Sequence, residues 1–354
     1  MLTLKGLRAK AIQNTLFPPT SLRRALDRLG FVQADPIRSP ARAQDLILRH
    51  RVNGYRAGDL EQQYPRLDIE EDFLYAYGFL PRSVWRLLHP RNTRGLTGVE
   101  ARVLAIARNA GQLHPRDLEA HLGRRRTVNA WGGYSKTSTR ALQQLHYRGL
   151  LRVAGREKGI RIYQATEPLE EHLAPAERLR KIVLLLAGIF SPAPLTSLRE
   201  VLRFLPRAAP SLPGRSQVIA ALLRAGALQS ASLDNVTYVW PATTTRQSRI
   251  PHSIRFLAPF DPLVWDRRRF EHLWGWRYRF EAYTPVAKRQ MGYYAMPVLW
   301  GDSLVGWANV AKTRSGLHVE LGFCERRPDS VEFRLALEEE TERMRTFLNN
   351  EDVG

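Results

Sequence analysis

The sequence predicts an α+β protein: tandem three-helix-plus-hairpin modules, then a small antiparallel β-sheet or barrel, then a C-terminal helix. Three observations predict it. A helix–helix–helix–hairpin pattern occurs twice in the middle of the chain, short strand patterns crowd residues 254–325, and a charged helical run closes the sequence. At 354 residues the chain can form two or three structural units, and 44% hydrophobic residues are enough to fill their cores.

From residue 4 to 30 two helical patterns flank Pro18-Pro19. Thr20 or Ser21 caps the second, Leu22, Ala25, Leu26 and Leu29 form its apolar stripe, and Gly30 ends it. Residues 31–37 read as a short strand entering a turn, and 40–50 as a helix. Residues 59–65 and 73–88 read as aromatic-rich helical segments, and residues 1–95 form an N-terminal module whose first 56 residues also offer three helices. Over 96–170 the spacing predicts helices at 98–110, 114–122 and 135–148, then two strands around the turn at 156–159. Three helices and a hairpin make the winged-helix pattern, in which the third helix reads a DNA groove. The pattern recurs over 171–245, and the phrases HYRGLLRV and LLRAGALQS mark the same helix-to-hairpin hinge in both copies. After a Thr/Arg-rich linker at 242–249, residues 246–354 carry strand patterns at 278–284, 292–299, 303–310 and 317–323, then a helix at 330–349. Its EEETER run reads as a solvated face of a packing helix.

Lys+Arg 54 against Asp+Glu 34 leaves a net charge of +20, and only seven of the basic residues are Lys. The planar Arg fork suits phosphates and guanine edges, so the excess points to a polyanionic partner such as nucleic acid, although an Arg-rich genome also inflates the count. The charge is concentrated: residues 91–165 hold fifteen Lys/Arg and four Asp/Glu. On the third helix expected there, Ala141, Leu142 and Leu145 face inward. Ser135, Lys136, Thr139, Arg140, Gln143 and Arg148 face outward, a mixture of phosphate and base-edge donors. A second concentration, ten basic against four acidic residues over 246–289, includes Lys288 and Arg289 at the tip of an expected hairpin, where they could enter a minor groove.

Several classes are excluded. One cysteine, Cys324, allows no intrachain disulfide and no Cys-based metal site. The longest apolar run, IVLLLAGIF at 182–190, is far short of the about 20 residues of a membrane span, so a soluble, cytoplasmic protein is expected. Walker, HExxH, GxSxG and dinucleotide fingerprints are missing, and Asp117 and His121 at i, i+4 lack further ligands, so neither metal nor cofactor is expected.

Gln33-Ala34-Asp35 is the unusual local feature. Strand residues i and i+2 share a face, so an amide and a carboxylate could together hold and activate one water. Read without context, such a pair is usually a cap or turn, since Asp-Pro starts turns easily.

Three stretches then make a wider pattern: LGFVQADPIRSPARAQDLILRHRVNGY, FLYAYGFLPRSVW, and LAPFDPLVWDRRRFEHLWGWRYRFEAYTPVAKRQMGYYAMPVLWGDSLVGW. Together they resemble the winged-helix DNA glycosylases of the AlkZ/YcaQ-like family, bacterial proteins that remove N7-alkylated purines and unhook interstrand crosslinks. The resemblance implies three tandem winged helices joined to a β-barrel around a concave DNA-binding surface. Gln33 and Asp35 match the family's Gln-x-Asp branch and are the catalytic pair it implies, and Arg42 the adjoining DNA contact. Gln44 departs from the pattern, which suggests His after the Arg-Ala pair. The implied reaction leaves an abasic site, because N7 alkylation makes the base a good leaving group and the motif has no Lys for a Schiff base. A monomer suits such an enzyme, bound to alkylated or crosslinked DNA in a bacterial nucleoid. The rival expectation is a winged-helix transcriptional regulator, for which Gln33-Ala34-Asp35 is only a turn.

Overall fold

The computed structural model describes residues 2–91, 95–122, 126–128, 134–167, 173–243, 250–314 and 316–349. Thr3 caps helix α1 (Leu4–Thr15), its hydroxyl accepting the Gly6 N–H at 3.0 Å. Ser21 caps α2 (Leu22–Leu29), which buries the expected stripe and ends at left-handed Gly30. There a Cβ would come within 2.4 Å of Leu185 Cδ1, so the position needs glycine for both space and backbone. Then come β1 (Val32–Gln33), α3 (Ala43–Leu48) and α4 (Asp59–Gln63).

The helix expected at 73–88 is instead an antiparallel hairpin, β2 (Ile69–Phe73) with β3 (Tyr77–Pro81), followed by the short α5 (Arg82–Leu88). The first central module runs α6 (Gly98–Ala110), β4 (Gln112–Leu113), α7 (Pro115–Leu122), β5 (Arg126–Val128), β6 (Tyr134–Lys136), α8 (Thr137–Tyr147), β7 (Leu151–Glu157) and β8 (Ile160–Ala165). Its sheet has the order β4-β8-β7, and β5 pairs with β6. The second runs α9 (Pro175–Ile189), β9 (Ala193–Pro194), α10 (Leu195–Leu202), α11 (Leu205–Ala208), α12 (Val218–Arg224), β10 (Leu228–Leu233) and β11 (Val236–Pro241), with the matching sheet order β10-β11-β9.

The C-terminal part contains β12 (Ile254–Phe256), α13 (Pro262–Trp265), α14 (Arg267–Trp274), β13 (Met296–Trp300), β14 (Ser303–Thr313), β15 (Gly316–Phe323) and α15 (Val331–Leu348). These strands form an antiparallel sheet in sequence order, with β12 and β15 at opposite edges. Among the described residues it is open rather than closed into a barrel. Part of the linker, 244–249, lies outside the described residues. The strand expected at 278–284 is absent because its polar groups are engaged otherwise: Tyr278 donates its hydroxyl to Ala295 O at 2.7 Å, and the Glu281 carboxylate gathers the N–H groups of Gln290, Met291 and Gly292.

Two compact units result, one of residues 1–60, 183–203 and 216–354, the other of 61–182 and 204–215. In the first, Leu7, Ala11, Ile12 and Leu16 of the N-terminus pack with Leu257, Leu263, Phe270, Leu273 and Leu299. A fully buried ion pair crosses that core: Arg51 forks onto both oxygens of Asp261 at 2.8 and 3.0 Å, and also donates to Thr15 O and Ile47 O, each at 2.6 Å. Asp261 in turn caps α13 through the Leu263 N–H at 3.0 Å. The acidic run of α15 is not wholly solvated, since Glu340 is buried, accepting from Phe256 N at 2.9 Å and from the Arg49 guanidinium.

In the second unit β2 buries three consecutive acids, which is why a search for apolar periodicity misreads it. Glu70 meets Arg152 at 2.9 Å, Glu71 meets Arg156 at 2.6 Å and the Tyr77 hydroxyl at 3.0 Å, and Asp72 meets Arg91 at 2.7 Å and His89 at 2.9 Å. Burial pulls His89 down to about 4 although it faces a carboxylate, because Arg91 already neutralises Asp72. Its other ring nitrogen, Nδ1, has no partner among the described residues and abuts left-handed Gly149, where a Cβ would lie 2.4 Å away. A second proton there would be buried and unpaired.

His89 therefore stabilises the fold as the neutral imidazole. That contribution is complete above the ordinary pKa of 6.5 and is lost as pH falls from 6.5 toward about 4. Urea midpoints between pH 7 and 5 should fall more for the wild type than for His89→Asn. The comparison isolates His89 from Glu70, which burial lifts to about 7 and whose contribution has the opposite sign, diminishing as pH rises through that value. Equal pH slopes in the two proteins would show that His89 is not the titrating group.

Candidate active site

Gln33 closes β1, and Asp35 stands two residues on, past the strand's end. The two are not successive same-face strand positions. Asp35 Oδ1 accepts the Ile37 N–H at 2.9 Å, which turns the chain, while the rest of the half-buried carboxyl is left for other partners. Burial raises its pKa against the opposing pull of the Ile37 hydrogen bond. Gln33 Oε1 is buried with no hydrogen-bond partner among the described residues.

A third group joins them. Tyr294 is 3% exposed, and its hydroxyl also has no partner among the described residues. Burial, and then the nearby negative charge of Asp35, hold that phenol well above its ordinary pKa, so it remains a proton donor. Phe280 meets its ring edge-on at 5.4 Å. Reasoning from spacing missed Tyr294; the signal available was its place in the GYYAMP stretch that carried the resemblance.

Helix α3 packs beside β1 and is held by Asp45. That buried carboxylate accepts from the Tyr55 hydroxyl at 2.8 Å and from Gly58 N at 3.2 Å. Burial raises Asp45, and Tyr55, Gly58 and the charge of Arg42 oppose the rise. Arg42 is half-buried at the N-cap of α3. Gln44, standing where the resemblance suggests His, is 3% exposed with its Oε1 unpartnered among the described residues.

The site thus offers a carboxylate of raised pKa, the Gln33 Oε1 that is unpartnered among the described residues, and a phenolic donor. One carboxylate with a neighbouring acceptor and donor can bind a water, take its proton and stabilise a cation forming beside it.

The other expected DNA contacts are on β6, on α8 and on the loop after Glu281. Helix α8 buries Ala141, Leu142 and Leu145, leaving Arg140 exposed and Thr139 half-buried. Two expectations there are corrected. Ser135 and Lys136 precede the helix on β6, opposite Thr127 and Arg126 of β5, and their side chains lie outside the description. Arg148 is not on an outward face; it follows α8 and is buried, 3.5 Å from Glu100. Of the fifteen cations over 91–165, Arg91, Arg152, Arg156 and Arg161 also answer the buried acids of β2, so the local charge available to a polyanion is smaller than the sequence suggests. Lys288 and Arg289 are not on a hairpin tip either. Lys288 ends the single 3-10 turn Val286–Lys288, and Arg289 follows it, donating to Thr284 O at 2.8 Å. Proline at 285 and the carboxylate of Glu281 favour that turn over a strand.

A family model described as DNA glycosylase AlkZ-like matches residues 26–347. The chain belongs to the AlkZ-like DNA glycosylase family. The matched stretch takes in Gln33, Asp35, Gln44, Arg51, Asp261 and Tyr294. Membership in the AlkZ-like family implies DNA repair chemistry, hydrolysis of a base–sugar bond with DNA as the substrate, and favours that reading over a transcriptional regulator. No helix among the described residues is long and apolar enough to cross a membrane.

Proposed function

We propose that this AlkZ-like protein is a monofunctional glycosylase of the Gln-x-Asp branch that releases N7-alkylated purines from duplex DNA and unhooks interstrand crosslinks, acting as a monomer on bacterial nucleoid DNA. The observation that carries the proposal is the half-buried Asp35 carboxyl, with its raised pKa, two residues after Gln33, whose Oε1 is unpartnered among the described residues, and near enough to Tyr294 for its charge to act on that phenol. An N7-alkylated purine already carries positive charge, so the base leaves without strong acid catalysis. Asp35 stabilises the oxocarbenium-like sugar and accepts the proton of the attacking water; the glycosidase carboxylates are the chemical analogy. Gln33 orients that water, and Tyr294 donates a hydrogen bond to the water or to the departing base. The stretch from Gln33 to Gly58 contains no lysine, which supports hydrolysis rather than Schiff-base strand cleavage.

The modules over 1–95, 96–170 and 171–245 are proposed as tandem winged helices ahead of the 246–354 sheet region. In the second and third, a helix, a short strand and another helix precede a last helix and a hairpin, with β5–β6 inserted in the one and α11 in the other; this order and the sheet orders β4-β8-β7 and β10-β11-β9 support the reading. Arg42, Ser135, Lys136, Thr139, Arg140, Lys288 and Arg289 are the proposed DNA contacts.

The test is a duplex carrying a single 7-methylguanine. Strand breaks should appear only after alkali; breaks before alkali would show lyase activity and overturn the monofunctional reading, and no breaks at all would overturn the substrate. Binding is tested separately. Lys136→Ala with Arg140→Ala should weaken binding alike for any duplex sequence and reduce the salt slope by up to about two. An unchanged slope would place the phosphate contacts elsewhere.

A further inference from the structure

The two most exposed large hydrophobic side chains among the described residues are Tyr283, 82% exposed, and Val286, 76% exposed. Both stand on one loop, and that loop is built to hold them out. The buried Glu281 carboxylate ties down its far end through the N–H groups of Gln290, Met291 and Gly292 at 2.9, 2.8 and 3.3 Å. Within it, Thr284 N–H donates to Glu281 O at 3.0 Å and Lys288 N–H to Pro285 O at 2.9 Å. Arg289 braces it from Thr284 O and lies over the Tyr293 ring at 5.1 Å. Below, Asn309 donates to Met291 O at 2.7 Å. A loop with this many internal bonds has lost its conformational entropy before any partner arrives.

The loop also stands close to the candidate site. The Tyr283 ring meets Phe280 at 6.2 Å, and Phe280 meets Tyr294, the residue that feels the charge of Asp35. Its flanking sequence is cationic: Arg277, Arg279 and Lys288 are exposed and form no ion pair among the described residues. Apolar side chains held rigidly at the rim of a site and flanked along the chain by exposed cations fit one partner chemistry. The cations suit a phosphate backbone, and the apolar tip suits the faces of stacked bases.

We propose that Tyr283 and Val286 form a wedge that enters the duplex beside the damaged nucleotide, unstacking a base step and holding the opened helix against the site. This rests on the DNA-glycosylase reading but not on the identity of the lesion or of the catalytic pair. Such a wedge lets the enzyme work on a crosslinked base, because it opens the duplex around a nucleotide that cannot leave the stack freely.

The test uses the full chain and a duplex carrying a tetrahydrofuran abasic analogue flanked by 2-aminopurine, whose fluorescence rises on unstacking. Saturating wild-type protein should raise the signal. Tyr283→Ser with Val286→Ser should remove at least about four-fifths of that rise while leaving the melting temperature unchanged, and Tyr283→Trp should keep it. Lys288→Ala should weaken binding and keep the rise at saturation. The proposal is overturned if the double serine variant unstacks like wild type, or if wild type gives no rise. It is equally overturned if the serine pair instead changes the sedimenting mass, which would make the loop a self-association surface. Release of 7-methylguanine by wild type and by Asp35→Asn is read in parallel. A protein that unstacks the probe but releases no base fails the proposed function and keeps the wedge.

Discussion

Asp35→Asn is expected to lower single-turnover release of an N7-alkylated purine by at least about a hundredfold, a loss of about 2.7 kcal/mol or more in transition-state stabilisation. The amide matches the carboxyl in size and can still accept the Ile37 N–H, so the turn should persist and duplex binding should change little. What is lost is the negative charge opposite the developing sugar cation, together with the acceptor for the proton of water. Gln33→Ala should cost less, because it removes an orienting contact and leaves the charge. The pH profile gives an independent check. Asp35 acts as the carboxylate and burial raises its pKa, so the wild-type rate should fall on the acid side at a higher pH than an ordinary aspartate would give. That limb should vanish in Asp35→Asn. Wild-type rates in both variants would remove the pair from the chemistry.

Arg51→Met and Asp261→Asn should each destabilise the protein by about 3–5 kcal/mol, a large part of the about 5–15 kcal/mol that a folded protein has. Each leaves a full charge buried without its partner. Arg51→Met also strips the donors from Thr15 O and Ile47 O, and Asp261→Asn weakens the cap on α13. Replacing both residues by Met and Leu should cost less than the two single losses added together, since no lone charge is then stranded. Urea unfolding of the four proteins measures this. A loss under about 1 kcal/mol in both singles would mean that the pair is hydrated rather than buried.

What could be read in advance depended on whether apolar spacing or polar partnership decides an element. Helix α2, with Ser21, its four-residue stripe and Gly30, declares itself locally, and so does the inward face of α8. The β14–β15 hairpin lies where its strand patterns put it. β2 could not be read this way, because its stabilising partners are arginines up to 90 residues away along the chain. The segment at 278–284 failed for the same reason: Glu281 finds its partners at 290–292, and no local pattern announces that. In the candidate site, Gln33 and Asp35 were legible as a motif, but their geometry as strand neighbours was not, since the strand ends between them. Tyr294 is brought toward Asp35 by tertiary packing alone, and Gln44 drew notice only as a departure from an expected residue.

The acidic strand β2 has a consequence for how this part of the molecule opens. Three acidic side chains inside a protein tolerate burial only while their guanidinium partners are in place, so β2 cannot stay closed when β7 and β8 separate, nor they when β2 leaves. Segments 70–72, 91 and 152–161 should therefore exchange their amide hydrogens at one common rate under native conditions, as a single cooperative block. Fraying of the hairpin at Lys158-Gly159 would be confined to the few residues beyond Arg156, and the rest would be protected until the whole block unfolds.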